Sequence, residues 1–258
     1  MIEPESDEFY VGYQREAPSG LATLIRRVTA VIVAVSATVA VIMVIGQRKF
    51  PASFFEFGRE REFVGIVRER PFPMLLVTRP GATGTLATHS RYTLVATGKH
   101  GASNEVRGFD GRRVSIRGSL IYRDGETMIE VAPGSLTVIP SATEGSVSLK
   151  SDWLGVQTLA GEIVDSKCYL GVMNPGSAVP HRECAVRCIS GGIPPLFIVH
   201  NDEGETSALW LISVSGKPVG REVLDMVAQP VEITGEVKRE GDQLYLRADP
   251  DTYRRLQK

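Results

Sequence analysis

The chain has 258 residues and a formal net charge of −1, from 29 Lys and Arg against 30 Asp and Glu. This length suffices for one or two domains with an apolar core, and the composition excludes a collagen-like protein, a disordered polyelectrolyte and a disulfide-dense mini-protein. We expect no nucleic-acid partner, because proteins that bind nucleic acid normally carry a basic excess.

The first predicted element is a transmembrane helix over residues 28–46, VTAVIVAVSATVAVIMVIG, which contain no charged side chain. A helix of this length spans roughly 28 Å, close to the hydrocarbon thickness of a bilayer. Residues 1–27 then form a cytoplasmic leader. A cleaved signal peptide is the alternative, but this leader is long and begins with acidic residues, which favours a retained signal anchor. Basic residues flank both ends of the span and therefore do not decide its orientation. We expect the C-terminal region to lie outside the cytoplasm, because it is large and the N-terminal tail is short.

Residues 47–61 are predicted to be a juxtamembrane connector, and a β domain follows over residues 62–140. Short runs of alternating apolar and polar residues, separated by turn signals, are typical of β-strands. The dipeptide Asp124-Gly125 predicts a hairpin turn, because Asp-Gly readily adopts positive φ. The five strands predicted in this domain are 63–70, 74–78, 92–98, 113–122 and 127–131.

A second β domain is predicted over residues 152–258. It follows a boundary near residues 140–151, where Pro, Ser, Thr and Gly concentrate. A short helix is predicted between its third and fourth strands, ending before Pro230. The five strands predicted here are 157–164, 196–200, 208–213, 231–237 and 243–247.

The two β domains have related sequences. Aligned in order, they place Gly65 over Gly161 and Gly118 over Gly235, which argues for an internal duplication. Five strands with a glycine in the first and the fourth favour a small closed barrel of the OB type. The predicted fold is therefore mainly β: an N-terminal transmembrane helix, then two tandem OB-like five-stranded barrels, the second with a short Cys/His helix inserted after its first strand. A single β-sandwich is the alternative.

All three cysteines fall in the segment that follows the first strand of the second domain. Residues 181–189 predict a helix, on which His181, Cys184 and Cys188 at positions i, i+3 and i+7 lie within about 60° of arc on one face. A Pro- and Gly-rich loop can return Cys168 to the same point. Three cysteines and a histidine form a recognised tetrahedral ligand set for Zn²⁺, and soft thiolates also suit Cu(I). The sequence therefore predicts a metal site made by Cys168, His181, Cys184 and Cys188.

Two further residues are predicted to surround these ligands. Asp165 can hydrogen-bond His181 and orient it, or it is an ordinary cap of the local turn. Met173 is expected to pack beside the helix. Lys167 and Arg187 can promote the thiolate form of the cysteines, or they are ordinary solvated charges.

Two other interpretations of the cysteines remain open. A disulfide from Cys168 to Cys184 or Cys188 would staple the loop of a ligand- or protein-binding β module and leave one thiol over. Alternatively, Cys184 or Cys188 is the attacking thiolate of a thiol redox protein. The sequence contains no hydrolase, NTPase, zinc-protease or haem-attachment motif, and we expect a protein that is not an enzyme.

The runs IVDSKCYLGVMNPG and HRECAVRCISGGIP resemble a motif of bacterial exported and membrane-anchored proteins, V-D-x-x-C, then H-x-x-C-A-x-x-C, then G-I-P. The resemblance is strong over residues 161–195 and extends to the leader, in EFYVGY and FEFG. It implies a shared cysteine–histidine site and a bacterial envelope location, and it implies no substrate or activity.

The sequence thus predicts a single-pass protein of the bacterial inner membrane whose barrels face the periplasm and carry a Cys₃His metal site. Its expected role is that of an accessory, assembly or scaffolding factor, with another envelope protein as partner.

Overall fold

A computed structural model describes residues 18–46, 53–79, 89–140, 151–201 and 205–256. The first 17 residues of the predicted leader and the predicted boundary segment at 141–150 lie outside the described residues.

The apolar segment forms one helix, α1 (Ser19–Gly46), which begins within the predicted leader and ends where the sequence predicts. None of its side chains is buried, and its most apolar window has a mean hydropathy of 2.8. Within the described part of the chain, α1 is the one helix that is long and apolar enough to cross a bilayer.

The first half of the remaining chain forms a closed five-stranded barrel, with one short strand before it and one after it. The barrel order is β2-β3-β4-β6-β5 and back to β2, and every pair is antiparallel except β4 with β6. This is the OB topology that the strand order predicts. The strands are β1 (Ser53–Phe55), β2 (Arg61–Arg68), β3 (Met74–Thr78), β4 (His89–Val95), β5 (Arg113–Arg123), β6 (Glu126–Val131) and β7 (Thr137–Val138).

The second half repeats this barrel with the same pairings. Its order is β8-β9-β10-β12-β11 and back to β8, with one parallel pair, β10 with β12. The helix predicted before Pro230 is a 3₁₀ helix, Arg221–Met226. The elements are β8 (Ser151–Asp165), α2 (Arg182–Ser190), β9 (Pro195–His200), β10 (Thr206–Ile212), β11 (Pro230–Glu240), β12 (Gln243–Arg247) and β13 (Arg254–Arg255). The prediction of two barrels rather than one sandwich is confirmed.

The four aligned glycines occupy matching places in the two barrels. A Cβ atom on Gly65 of β2 would lie 2.5 Å from the Leu76 carbonyl oxygen of β3, and one on Gly161 of β8 would meet the Ile198 carbonyl oxygen of β9 in the same way. Both positions therefore need a glycine so that the neighbouring strand can approach closely.

The other two glycines, Gly118 and Gly235, make the equivalent contact between the fourth and fifth strands of each barrel. The register also matches, because Gly65 pairs with Val114 and Gly161 with Val231, each four residues before the second glycine. The two barrels are structural repeats.

Each barrel has its own apolar core, and a third apolar cluster joins the two barrels. Equivalent residues of the two barrels belong to this shared cluster: Met74 and Leu76 come from β3, and Leu196 and Ile198 from the matching strand β9. Burial of one contiguous set of apolar side chains from both barrels stabilises their contact.

A buried carboxylate lies between the barrels. Glu126, the first residue of β6, accepts hydrogen bonds from Trp210 Nε1 at 3.0 Å and from Gln243 Nε2 at 3.1 Å. Gln243 is the first residue of β12 and therefore the counterpart of Glu126 in the second barrel. Burial raises the pKa of Glu126 to about 7.

Candidate metal centre

The cysteines lie in the connection between β8 and β9, residues 166–194, which replaces the short connection 69–73 of the first barrel. A single π-helical turn, Cys168–Val172, follows β8 directly, and a 3₁₀ turn, Val179–His181, leads into α2. Gly191 ends α2, and its N–H donates to the Arg187 carbonyl oxygen at 3.0 Å. The predicted short helix is therefore present after the first strand of the second barrel.

The three cysteine side chains meet at one point. Their Sγ atoms all lie within 4.8 Å of one another, and the Cys168 and Cys184 sulfurs are 3.7 Å apart. All three are free thiols. Cys168 and Cys188 are buried, with 3% and 1% of their surface exposed, whereas Cys184 is partly accessible to solvent. The cluster is thus a three-sulfur group with one sulfur near the surface.

His181 belongs to a second group that overlaps the first at Cys168. A ring nitrogen of His181, a carboxylate oxygen of Asp165 and Cys168 Sγ lie within 4.8 Å of one another, and His181 is not part of the three-sulfur group itself. Its Nε2 lies 2.7 Å from Asp165 Oδ2. Its Nδ1 is buried and has no hydrogen-bond partner among the described residues.

Asp165 contacts both Cys168 and His181. Its side chain is fully buried, Oδ2 contacts His181, and Oδ1 accepts the Cys168 N–H at 2.8 Å. One carboxylate at the end of β8 therefore positions the first cysteine and the histidine together. Its predicted contact with His181 is present.

The first barrel supplies a fourth group. The Lys99 Nζ atom, in the turn after β4, lies 2.7 Å from Cys184 Sγ and 3.9 Å from Cys188 Sγ. The hydrogen bond to Cys184 raises the pKa of the Lys99 ammonium. The site therefore combines side chains of both barrels.

Buried contacts fix the turn that carries Lys99. Lys167, next to Cys168, is 3% exposed at its side chain; it pairs with Glu130 and donates to the carbonyl oxygens of Ala96 at 2.8 Å and Gly98 at 2.7 Å. The alternative that Lys167 is a solvated charge is therefore wrong. Lys167 is the buried link between the cysteine loop and the first barrel.

The end of α2 lies against the same turn. The Gly101 N–H donates to the Gly191 carbonyl oxygen at 3.0 Å, and a Cβ atom on Gly191 would collide with the Lys99 carbonyl oxygen. Glycine at position 191 is thus required for this close backbone contact.

The thiols influence each other's protonation. The hydrogen bond that Cys168 donates to Cys188 raises the pKa of Cys168 and lowers the pKa of Cys188, and burial raises the pKa of Cys168 further. A thiolate with a neighbouring thiol is the arrangement that a soft metal ion completes by displacing the proton.

The remaining candidates lie at the edge of the site. Met173 is 42% exposed, and its N–H donates to the Cys168 carbonyl oxygen at 3.2 Å. Arg187 is exposed on α2. Tyr169 is buried between the barrels, with the Arg123 guanidinium 4.1 Å from its ring centre.

Lys99 lies 85 positions before Cys184 and is not predicted from the sequence. No local pattern marks it, because the contact depends on how the two barrels pack. One sequence feature marks the position: Gly98-Lys99 aligns with Ser215-Gly216 of the second barrel, so both pairs are expected in a turn.

Comparisons of the chain with protein-family models, with curated proteins and with solved structures find no match.

Proposed function

We propose that this chain is a membrane-anchored protein whose paired barrels bind one soft metal ion, Zn²⁺ or Cu(I), through Cys168, Cys184, Cys188 and His181. The observation that carries the proposal is the convergence of three free sulfurs within 4.8 Å beside a buried histidine nitrogen that has no hydrogen-bond partner in the described part of the chain.

The spacing of the sulfurs suits a metal ion. Metal–thiolate bonds of about 2.3 Å in a tetrahedron separate the sulfurs by about 3.8 Å, and Cys168 and Cys184 are 3.7 Å apart. Little movement is needed to bind an ion, since two thiols already stand at the required separation.

The state of His181 suits a fourth ligand. Histidines that bind metals usually donate their other ring N–H to a carboxylate, which fixes the tautomer. Nε2–H donating to Asp165 leaves the lone pair on Nδ1 free. Nδ1 is the ring nitrogen that is buried without a hydrogen-bond partner among the residues that the structure describes. Because His181 is grouped with Cys168 and not with the other two sulfurs, binding of one ion by all four side chains requires the ring and the sulfurs to move together.

Charge also favours a cation here. Three thiolates and a divalent ion carry a net charge of −1, which the adjacent Lys99 ammonium offsets. A site closed by four protein ligands leaves no position for substrate and is structural. We therefore propose a non-enzymatic accessory, assembly or scaffolding role, with another envelope protein as partner. In this proposal α1 is a retained anchor in a bacterial inner membrane, and the two barrels lie in the periplasm.

The test is metal content. The full-length chain, purified in detergent under reducing conditions and equilibrated with Zn²⁺ or Cu(I), should retain about one ion per chain by elemental analysis. Co²⁺ loading should give the charge-transfer and ligand-field absorption of a tetrahedral thiolate site. C188S should abolish retention and H181A should weaken it.

A matched control is available in H200A, because His200 is exposed and hydrogen-bonds only Thr206 among the described residues. H200A should bind metal like the wild-type protein. Retention of metal by C188S, or no metal in the reduced wild-type protein, would contradict the proposal.

A thiol redox protein is the second candidate, and the contact between Lys99 and the partly exposed Cys184 favours it. Such a protein would exchange disulfides with a dithiol substrate through Cys184. Catalysed disulfide exchange by metal-free wild-type protein, lost in C184S, would support this candidate over a structural metal site.

A further inference from the structure

The contact between Lys99 Nζ and Cys184 Sγ is unusually close. Hydrogen bonds from N–H to oxygen have a typical length of about 2.9–3.0 Å, and those to the larger sulfur atom are longer. The nitrogen and sulfur here are 2.7 Å apart. An oxygen atom with a single bond to each and a bent angle between them spans a gap of this size.

We propose that Lys99 and Cys184 form an oxidation-dependent covalent bridge, in which one oxygen atom joins the lysine nitrogen to the cysteine sulfur. The bridge is a reversible modification that links the two barrels, because Lys99 belongs to the first and Cys184 to the second.

Accessibility selects the sulfur. Cys184 is the partly exposed thiol of the cluster, whereas Cys168 and Cys188 are buried. Oxidation of cysteine follows exposure and thiolate character, so an oxidant reaches Cys184 first.

The lysine is held in place for this reaction. Lys167 binds the carbonyl oxygens of Ala96 and Gly98, and Gly101 binds the end of α2, so the turn is fixed on both sides of Lys99. A fixed pair of reacting atoms loses little entropy on joining.

The reaction balances with molecular oxygen as the oxidant. One thiol, one amine and one O₂ give the S–O–N bridge and one water. The S–H bond and one N–H bond break, the S–O and O–N bonds form, and the second oxygen atom leaves as water with both hydrogens. Sulfur and nitrogen each lose two electrons, and O₂ gains the four. Two molecules of a dithiol reverse the reaction: each is oxidised to a disulfide and supplies two electrons and two protons, and the thiol, the amine and one water are returned.

The bridge itself does not depend on metal binding. Its consequence for a metal rests on the proposed function: a bridged Cys184 is no longer a ligand, so oxidation would release the ion. Cys168 is the competing partner, since its sulfur lies 3.7 Å from that of Cys184 and a disulfide could form instead.

Mass spectrometry tests the bridge directly. The metal-free full-length chain in detergent is reduced, freed of reductant and exposed to dissolved oxygen or hydrogen peroxide. We expect an intact mass that has gained one oxygen and lost two hydrogens, and that returns to its original value with a dithiol.

Trypsin then locates the bridge, because it separates the three cysteines into different peptides and cannot cleave after a modified Lys99. The expected product is residues 92–107 joined to residues 183–187. K99R, which keeps the positive charge, and C184S should each lose this product to background. K217R, at an exposed lysine, should keep it, and so should C168S.

Three results would overturn the proposal: no heavier species after oxidation, the same species in K99R, or residues 183–187 joined to the Cys168 peptide by a disulfide in place of Lys99. Metal retention by the reduced protein is measured separately, so failure of the bridge and failure of the metal site are distinguishable.

Discussion

The two barrels share their topology, their four close-packing glycines and the face by which they contact each other, yet only one of them carries the cysteines. Two connections near the cysteines differ between the barrels. After the first strand, the second barrel has residues 166–194 where the first has 69–73. The chemistry of the molecule is thus concentrated where the repeat is broken.

The second difference is at the turn after the third strand. In both barrels a backbone hydrogen bond closes this turn, from Ala96 to His100 at 3.0 Å and from Ser213 to Lys217 at 2.8 Å. The matching positions inside the turns are Lys99 and Gly216. The turn is present in both barrels. In the first barrel it carries Lys99, whose side chain reaches Cys184 of the second barrel.

The position four residues after the first aligned glycine of each barrel shows the same divergence. Glu69, directly after β2, accepts the N–H groups of Gly108 and Phe109 and so holds a loop. Asp165, the last residue of β8, holds Cys168 and His181. One structural position therefore has a loop-holding role in one barrel and a site-building role in the other.

The largest effect on stability is expected from E126Q, which gives the first barrel the glutamine that the second barrel has at the matching position, Gln243. Because burial raises the pKa of Glu126 from 4.5 to about 7, the folded state binds more protons than the unfolded state between those pH values. Stability should therefore fall as the pH rises from about 4.5 to about 7, by at most about 3 kcal/mol. E126Q should remove this loss, giving a protein more stable than wild type at pH 8 in urea unfolding.

The control for this prediction is E222Q, which changes an exposed carboxylate. It should keep the wild-type dependence on pH. Equal pH dependence in E126Q and the wild-type protein would show that Glu126 does not titrate in this interval.

The second prediction separates Asp165 from Glu69. In D165N the amide NH₂ donates to His181 Nε2, which moves the ring proton to Nδ1 and blocks its lone pair. We expect metal affinity to fall about 10–100-fold, measured by competition with a chelator. E69Q keeps an acceptor for its loop and should leave metal affinity unchanged; equal losses in the two variants would contradict the assigned difference.

The third prediction concerns the contact of α2 with the first barrel. G191A places a methyl group against the Lys99 carbonyl oxygen, and overpacking of this kind costs about 1–3 kcal/mol. The free energy of unfolding should fall accordingly. S190A, which changes the exposed neighbouring residue of α2, is the control and should leave the free energy of unfolding close to that of the wild-type protein. Equal effects would indicate that the backbone contact at Gly191 is loose.

The smallest effect is expected from the charge of Lys99. K99M removes the ammonium beside Cys184, and since exposed ion pairs contribute about 0.2–1 kcal/mol, metal affinity should fall by no more than about fivefold. K217M, at an exposed lysine in the matching turn, should leave it unchanged. Tighter metal binding by K99M would show that the ammonium competes with the ion.

Most of the fold is predictable from the sequence because alternation and turn residues are local signals. Strands β3 and β12 have the predicted bounds, and the others differ at their ends. The largest difference is β8, which begins at Ser151, because its first residues are solvent-exposed on a ribbon with β11 and carry no burial pattern.

The candidate site is predictable in part. The convergence of Cys168, Cys184 and Cys188 is predictable, because the helical spacing of two of them and the turn residues of the loop are local features of the sequence. The partners of Lys99 and Lys167 were not predictable, because these lysines contact groups across the boundary between the barrels. His181 as a direct ligand stays a prediction.

The contact between the barrels has the form of an isologous interface, in which the same surface patch is used on both sides. Met74 and Leu76 belong to the same apolar cluster as their counterparts Leu196 and Ile198, and Glu126 accepts a hydrogen bond from its own counterpart Gln243. Such an interface is what a homodimer of single barrels leaves when two copies are fused into one chain. Fusion frees each copy to change alone: one gained the cysteine loop and the other the lysine, a pairing that identical subunits could not have evolved without carrying both twice.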